Sequence, residues 1–245
     1  MTPLHVVGLG VWTPSHPTLD AWKARDASAA GAPSSDWIAR RQLRRSTMLA
    51  RMSAHALAEA LGAAGRSRDQ VALLTASVGG ELSSTFANLE LLHETPAASS
   101  PLRFGNSVHN AALGHLAIPA RNQQTASAIA ASRGTLTAMG LLEAMAHTAQ
   151  LGVDAALVFC EETWPRADFE ALAVAVVLSA DATGSLGTLD DLSATAGDLP
   201  VSTLPEALAP SPAAGALHLL DALLAGSAGR IALSDAPWSV RWTPA

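Results

Sequence analysis

The chain has 245 residues, 49% of them hydrophobic and only 15% charged, with a formal net charge of −6. An apolar, weakly charged composition argues against disorder, and the negative balance against general affinity for nucleic acid or anionic membranes. The single cysteine, Cys160, excludes an internal disulfide and a cysteine-based zinc cluster, and it fits a reducing compartment.

The opening MTPLHVVGLG lacks a basic stretch followed by an apolar one, so no signal peptide is expected. The apolar runs stop short of the roughly 18 residues that a membrane span requires. The expectation is a cytoplasmic protein with no membrane span.

In chain order, residues 4–9 read as a buried strand closed by Gly8, Gly10 and Pro14. Helical periodicity covers 46–64, with Ser46 as cap and Gly62 and Gly65 as stops. A second strand follows at 71–76, broken by Gly79-Gly80, and then a helix at 82–94. Residues 95–101 read as a loop and 108–118 as a helix ended by Pro119. A small-residue strand at 125–130 precedes a helix at 133–150 that is apolar nearly all round, and hence buried on most faces. Strands are expected at 154–160 and 172–178, a loop at 190–212, a helix at 213–226, and short strands at 230–233 and 238–242. Alternating strands and helices imply an α/β fold with a mostly parallel sheet and helices on both faces. Residues 1–189 form the main body, and 190–245 a tail that completes the same domain.

Three segments in this order resemble the β-ketoacyl synthases of the thiolase-like superfamily. They are VVGLGVWTP at 6–14, the helix at 46–64 with VALLTASVGG at 71–80, and NSVHNAALGHL at 106–116 leading into TASAIAASRGTLTAMGLLEAM and VDAALVF. The resemblance implies the amino-terminal half of a thiolase-like fold. It also implies a nucleophilic cysteine at the start of the buried helix, where helix dipoles would favour thiolate. That turn reads Ala130-Ala131-Ser132-Arg133-Gly134, which places Ala131 or Ser132 at the lost nucleophile position. The family's two histidine motifs have no counterpart after residue 178, where His218 is the only histidine and reads as a packed side chain.

The resemblance therefore points to a catalytically inactive, chain-length-factor-like subunit. Such subunits pair with a complete synthase in fatty-acid, polyketide or aryl-polyene systems and shape its acyl tunnel. Its implied partners are that synthase, as a heterodimer, and an acyl carrier protein, with a homodimer when the chain is made alone. Val108, His109 and Asn110 are the acyl-pocket candidates. Arg40, Arg41, Arg44 and Arg45 are candidates for docking the acidic carrier, or else a solvated helix face. Two other readings stay open: a Ser132-dependent acyltransferase or thioester hydrolase, and a stand-alone binder of acyl groups or acyl carrier protein.

Other residues carry less. Cys160 reads as a small buried hydrophobe. Glu161-Glu162 read as a solvated turn, because neighbours at a strand end point to opposite faces. The glycine pairs do not complete a dinucleotide fingerprint, and the histidines show no metal-ligand spacing, so no cofactor or metal is expected.

Overall fold

The computed structural model describes residues 3–245 except 28–29, 35, 40–41, 43, 96–99, 166 and 234–236. In chain order the elements are β1 (Leu4–Trp12), α1 (Leu19–Ala24), α2 (Met48–Ala64), β2 (Ala72–Ser77), α3 (Leu82–Glu94), α4 (Pro101–Gly105) and α5 (Ala111–Ala120). They continue with β3 (Ala126–Ala130), α6 (Leu136–Leu151), β4 (Ala155–Glu161), β5 (Leu172–Ser179), β6 (Gly187–Ser193), α7 (Ala214–Ala225), β7 (Gly229–Ala232) and β8 (Ser239–Pro244).

The strands form one sheet in the order β3-β2-β4-β5-β1-β6-β8-β7. The α/β class and the helices on both faces agree with the sequence reading; the mostly parallel sheet does not. Only β2 with β3 and β2 with β4 pair in parallel, and the other five pairings are antiparallel. The reason lies in the connections. Parallel neighbours need a crossover, which α3–α5 and α6 supply. No helix separates β4 from β5, so the chain turns back against itself there.

The central strands β4 and β5 are buried along their whole length, as expected for strands covered on both faces. On one face α2 and α5 pack over Val7, Leu73, Val158 and Val177. On the other, Leu136, Leu141 and Met145 of α6 share a cluster with Leu217, Leu220 and Leu223 of α7. The tail thus adds three strands to the sheet and one helix to its second face.

Two glycines set the distance between β1 and α2. A Cβ on Gly8 would lie 2.1 Å from the Ala60 carbonyl oxygen, and one on Gly10 would lie 2.1 Å from that of Ala56. Gly8 and Gly10 therefore do not close the strand, as the sequence suggested, but lie inside β1, where they let backbone meet backbone. Thr47, not Ser46, caps α2 by accepting from the Ala50 N–H. Pro119 lies inside α5, one residue from its end, rather than stopping it.

Side chains fix the tail at two places. Asp221 of α7 accepts from the Trp22 indole N–H and from Arg25, both at 2.8 Å. Arg230 spans the register shift between Asp190 and Ser193, donating to Asp191 at 2.6 Å, Ser193 at 2.5 Å and Ser239 at 3.0 Å.

A matched pair of substitutions tests the glycine contact. Gly10→Ala should cost about 3 kcal/mol or more, because the clash is with backbone that cannot rotate away. Gly62→Ala, in the facing helix α2 with nothing within 4 Å of the new methyl, should add about 0.5–1 kcal/mol. Urea unfolding of both variants measures the two signs.

Candidate functional site

The carboxyl ends of the parallel strands bring two turns side by side. Ser77 of β2 lies opposite Ala130 of β3, so the Ser77–Gly80 turn flanks the turn at 131–135. The latter is where the lost nucleophile was expected. It forms a tight turn into α6, with the Thr135 and Leu136 N–H groups both donating to the Ser132 carbonyl at 2.9 Å. Half of the sixteen residues of α6 are buried, while Leu142 and Leu151 are exposed, so its all-round apolar pattern is covered on one side and not on most of its circumference.

Ser132 is exposed, and its hydroxyl lies 2.9 Å from that of Thr135. No histidine or carboxylate among the described residues hydrogen-bonds it, so nothing there activates it as a nucleophile. Ala131 has no reactive group. Cys160 does not substitute: it is fully buried in the α2-side cluster, whereas α6 packs on the other face, and burial pushes its thiol up. A Ser–His–Glu grouping does exist at Ser127, His147 and Glu143. Both partners meet the same imidazole nitrogen, Nε2, while Nδ1 is buried without a partner. A catalytic triad needs the nucleophile and the orienting acid on opposite nitrogens of the histidine.

The Ser77–Gly80 turn is held by carboxylates that the sequence reading placed in solvent. Glu161 is fully buried and Glu162 nearly so. Glu161 accepts from the Val78 N–H at 2.8 Å, the Gly79 N–H at 3.0 Å, the Trp164 indole at 2.9 Å and the Ser77 hydroxyl at 3.2 Å. Glu162 accepts from the Ser83 N–H at 2.8 Å, in the first turn of α3. Adjacent side chains do diverge, but here each finds unpaired backbone donors to cover.

Glu81, at the N-cap position of α3, is the third member of the group. It is 1% exposed, accepts from the Thr47 hydroxyl at 2.7 Å through one oxygen, and leaves the other buried without a partner. Burial, with a smaller contribution from the Glu162 charge, raises its carboxyl to about 8 against a downward pull from Thr47. Burial also raises Glu161 and Glu162 against the donors that favour their charged forms. The sequence reading did not single out Glu81. An acid opening a helix is ordinary, and only the fold reveals that Thr47 covers it.

The acyl-pocket candidates divide. His109 packs its ring on Gly80 and places Nε2 3.2 Å from the Ser77 carbonyl. Val108 and Asn110 instead line a groove of about 440 Å³ between α4 and α5, with Ile38, Leu102 and Ile118. Arg45 lines the same groove, and its carbonyl accepts from the Asn106 side chain at 3.1 Å. Arg44 is exposed; Arg40 and Arg41 lie outside the described residues. Among the described residues no three His, Cys, Asp or Glu side chains are grouped to hold a metal ion. Nor is any described helix long and apolar enough to cross a membrane.

The Glu81 carboxyl yields a signed test. Its folded-state value lies above the unfolded one, so its contribution is fully present below about pH 4.5 and declines until about pH 8. Relative to Glu81→Gln, the wild type should lose up to about 4 kcal/mol across that window and level off above it. Urea unfolding of both proteins from pH 4.5 to 9 measures the difference; parallel curves would show a Glu81 that titrates normally.

The comparisons with known proteins agree with this geometry. The family model described as β-ketoacyl synthase, N-terminal domain, matches residues 19–242. No curated protein matches the chain. Among solved structures, the complex of the ketosynthase ApeO with its chain length factor ApeC, from Xenorhabdus doucetiae, is similar with a TM-score of 0.69 at 20% identity. That match covers 99% of this chain and 100% of the other. The ishigamide ketosynthase/chain length factor is similar with a TM-score of 0.61 at 14% identity, over 76% of this chain and 65% of that one. A type II polyketide synthase acyl-carrier protein in complex with its ketosynthase, AntDE:AntF, gives 0.60 at 15%, over 78% and 68%. A mixed sheet layered between helices, a tight turn into a half-buried α6, and a family match spanning nearly the whole chain lead to one assignment: the protein belongs to the β-ketoacyl synthase family, in its N-terminal domain.

Proposed function

We propose that this protein is a non-condensing subunit that pairs with a complete β-ketoacyl synthase and shapes its acyl tunnel, in the manner of a chain length factor. The observation that carries the reading is an open edge beside an unarmed turn. Strand β3 pairs only with β2, and none of its five residues is buried. Helix α5, which packs beside β3, exposes Ile118 at 76%, and helices α3 and α4 expose Phe86, Leu89, Leu102 and Phe104, the last at 62%. Helix α3 buries only Asn88, although it carries four leucines and a phenylalanine. Unpaired strand edges and clustered exposed apolar side chains mark surfaces that another chain covers.

The turn at 131–133 supports the non-condensing part, because it offers neither thiol nor activated hydroxyl. The groove holding Val108 and Asn110 lies on the same side of the sheet as α5, and we assign it to the wall of a shared acyl tunnel. Arg44 and Arg45 are the positions assigned to an acidic acyl carrier protein, with Arg40 and Arg41 beside them in sequence. The cytoplasm is the compartment this reading implies. The similar structures, which hold ketosynthases with chain length factors and, in one case, an acyl-carrier protein, favour it over a stand-alone binder.

Two measurements test the reading. Incubated alone with acyl carrier protein loaded with an acyl or malonyl group, the protein should gain no acyl mass and release no carbon dioxide. A stable adduct on Ser132 in intact-mass spectra would instead support an acyltransferase. Co-expressed with a ketosynthase encoded beside it, the protein should elute as a 1:1 complex in light scattering. Ile118→Glu should weaken that complex about tenfold or more, since it buries a charge in an apolar contact. A monomer that binds no such ketosynthase would remove the proposal.

A further inference from the structure

The tail builds a second cavity, next to the unarmed turn but on the α6–α7 side of the sheet. Its volume is about 130 Å³, and it lies between Arg133 and the start of α7. Arg133, Ser211, Gly215 and His218 supply the polar part of its lining; Val201 and Pro212 are among the apolar part. No aspartate or glutamate lines it among the described residues.

Three observations concern hydrogen-bond donors. The Arg133 guanidinium reaches only the Ala209 carbonyl, at 3.4 Å, and forms no ion pair among the described residues. Ser211 is fully buried, and its hydroxyl oxygen accepts from the Ala213 N–H at 3.3 Å. Among the described residues no acceptor takes the Ser211 hydroxyl proton. A buried hydroxyl without an acceptor is costly unless something in the cavity accepts from it. Finally, the twelve-residue helix α7 begins at Ala213 with no side-chain cap, so the positive end of its dipole adds to the Arg133 charge. His218 lines the cavity one turn further along, its Nδ1 at 3.1 Å from the Ser202 hydroxyl.

We propose that this cavity binds a small oxyanion, a carboxylate or a phosphate, between the Arg133 guanidinium and the Ser211 hydroxyl. Donors converge from two elements without a carboxylate to satisfy them, and the space suits a group of a few heavy atoms. The apolar walls admit a short carbon chain attached to it. The site is distinct from the groove between α4 and α5, and it does not rest on the partner-subunit reading.

Thermal unfolding with inorganic phosphate and, separately, malonate tests it, with sodium chloride at matched ionic strength as reference. The wild type should show a saturable rise in midpoint with at least one of the two anions, beyond the chloride control. Arg133→Gln, a change at an exposed position, should weaken that anion at least tenfold, and Arg133→Lys should retain part of the affinity. A stronger response to malonate assigns the site to carboxylates, and a stronger response to phosphate assigns it to phosphates. Equal midpoint rises in the wild type and Arg133→Gln, or none beyond chloride, would overturn the proposal.

Discussion

The carboxylate of Glu161 is the contact on which this end of the molecule depends. It projects from the last residue of β4 and gathers donors from Ser77, Val78, Gly79 and Trp164. Those bonds fix the chain as it leaves β2, and everything before β3 follows from its direction there. Gly79 is the residue that allows it, because a Cβ there would meet the Trp164 indole nitrogen at 2.5 Å and the Glu161 carboxylate at 2.7 Å. Gly80, with φ near +57°, then turns the backbone under His109. Glu162 takes hold of the first turn of α3 through the Ser83 N–H, and the Glu81 side chain ties the start of that helix to Thr47. A helix that buries a single residue is thereby aimed by its N-terminus rather than by its flank.

Three glutamates in a buried space are expensive unless each is bonded or neutral. The arrangement uses both solutions. Glu161 and Glu162 receive backbone N–H donors, which favour charge, whereas Glu81 has only the Thr47 hydroxyl and keeps its proton near neutrality. Like charges also separate in this way, because the neutral form of Glu81 removes one repulsion from Glu162. The cluster therefore acts as a structural fastener.

Much of the fold was legible because apolar periodicity and local punctuation specify it. The helix at 82–94 matches α3 residue for residue, and the small-residue strand at 125–130 matches β3 to within one. What escaped was either short or non-local. Helices α1 and α4 have six and five residues, too few to show a period. Strand β6 reads Gly-Thr-Leu-Asp-Asp-Leu-Ser, and its acids look like a loop until Arg230 and Arg241 pair with them from β7 and β8. Strand direction was misread because alternation of elements was taken for crossovers, although no helix joins β4 to β5. At the site, the absence of a cysteine from the turn at Ala130–Gly134 could be read directly from the sequence. Burial of Glu81, Glu161 and Glu162 could not, since their covers come from residues about 34 to 84 positions away.

The two ends of the sheet are treated differently, and the difference bears on what the molecule does. At the β7 end the edge strand has four residues, opens on Gly229, and carries Arg230, whose side chain is tied into the neighbouring strands. Charge and shortness are the usual means of keeping an edge from pairing. At the β3 end the edge reads Ala-Ser-Ala-Ile-Ala, with no proline, no charge and no bulge. Its small side chains would let a second strand or helix approach closely, and α5, which packs beside it, exposes Ile118. The tail packs against α6 with Leu217, Leu220 and Leu223. A sequence that guards one edge with charge has the means to close the other edge as well. That β3 remains plain and unpaired on one side is the feature of this fold on which the proposed pairing with a second protein rests.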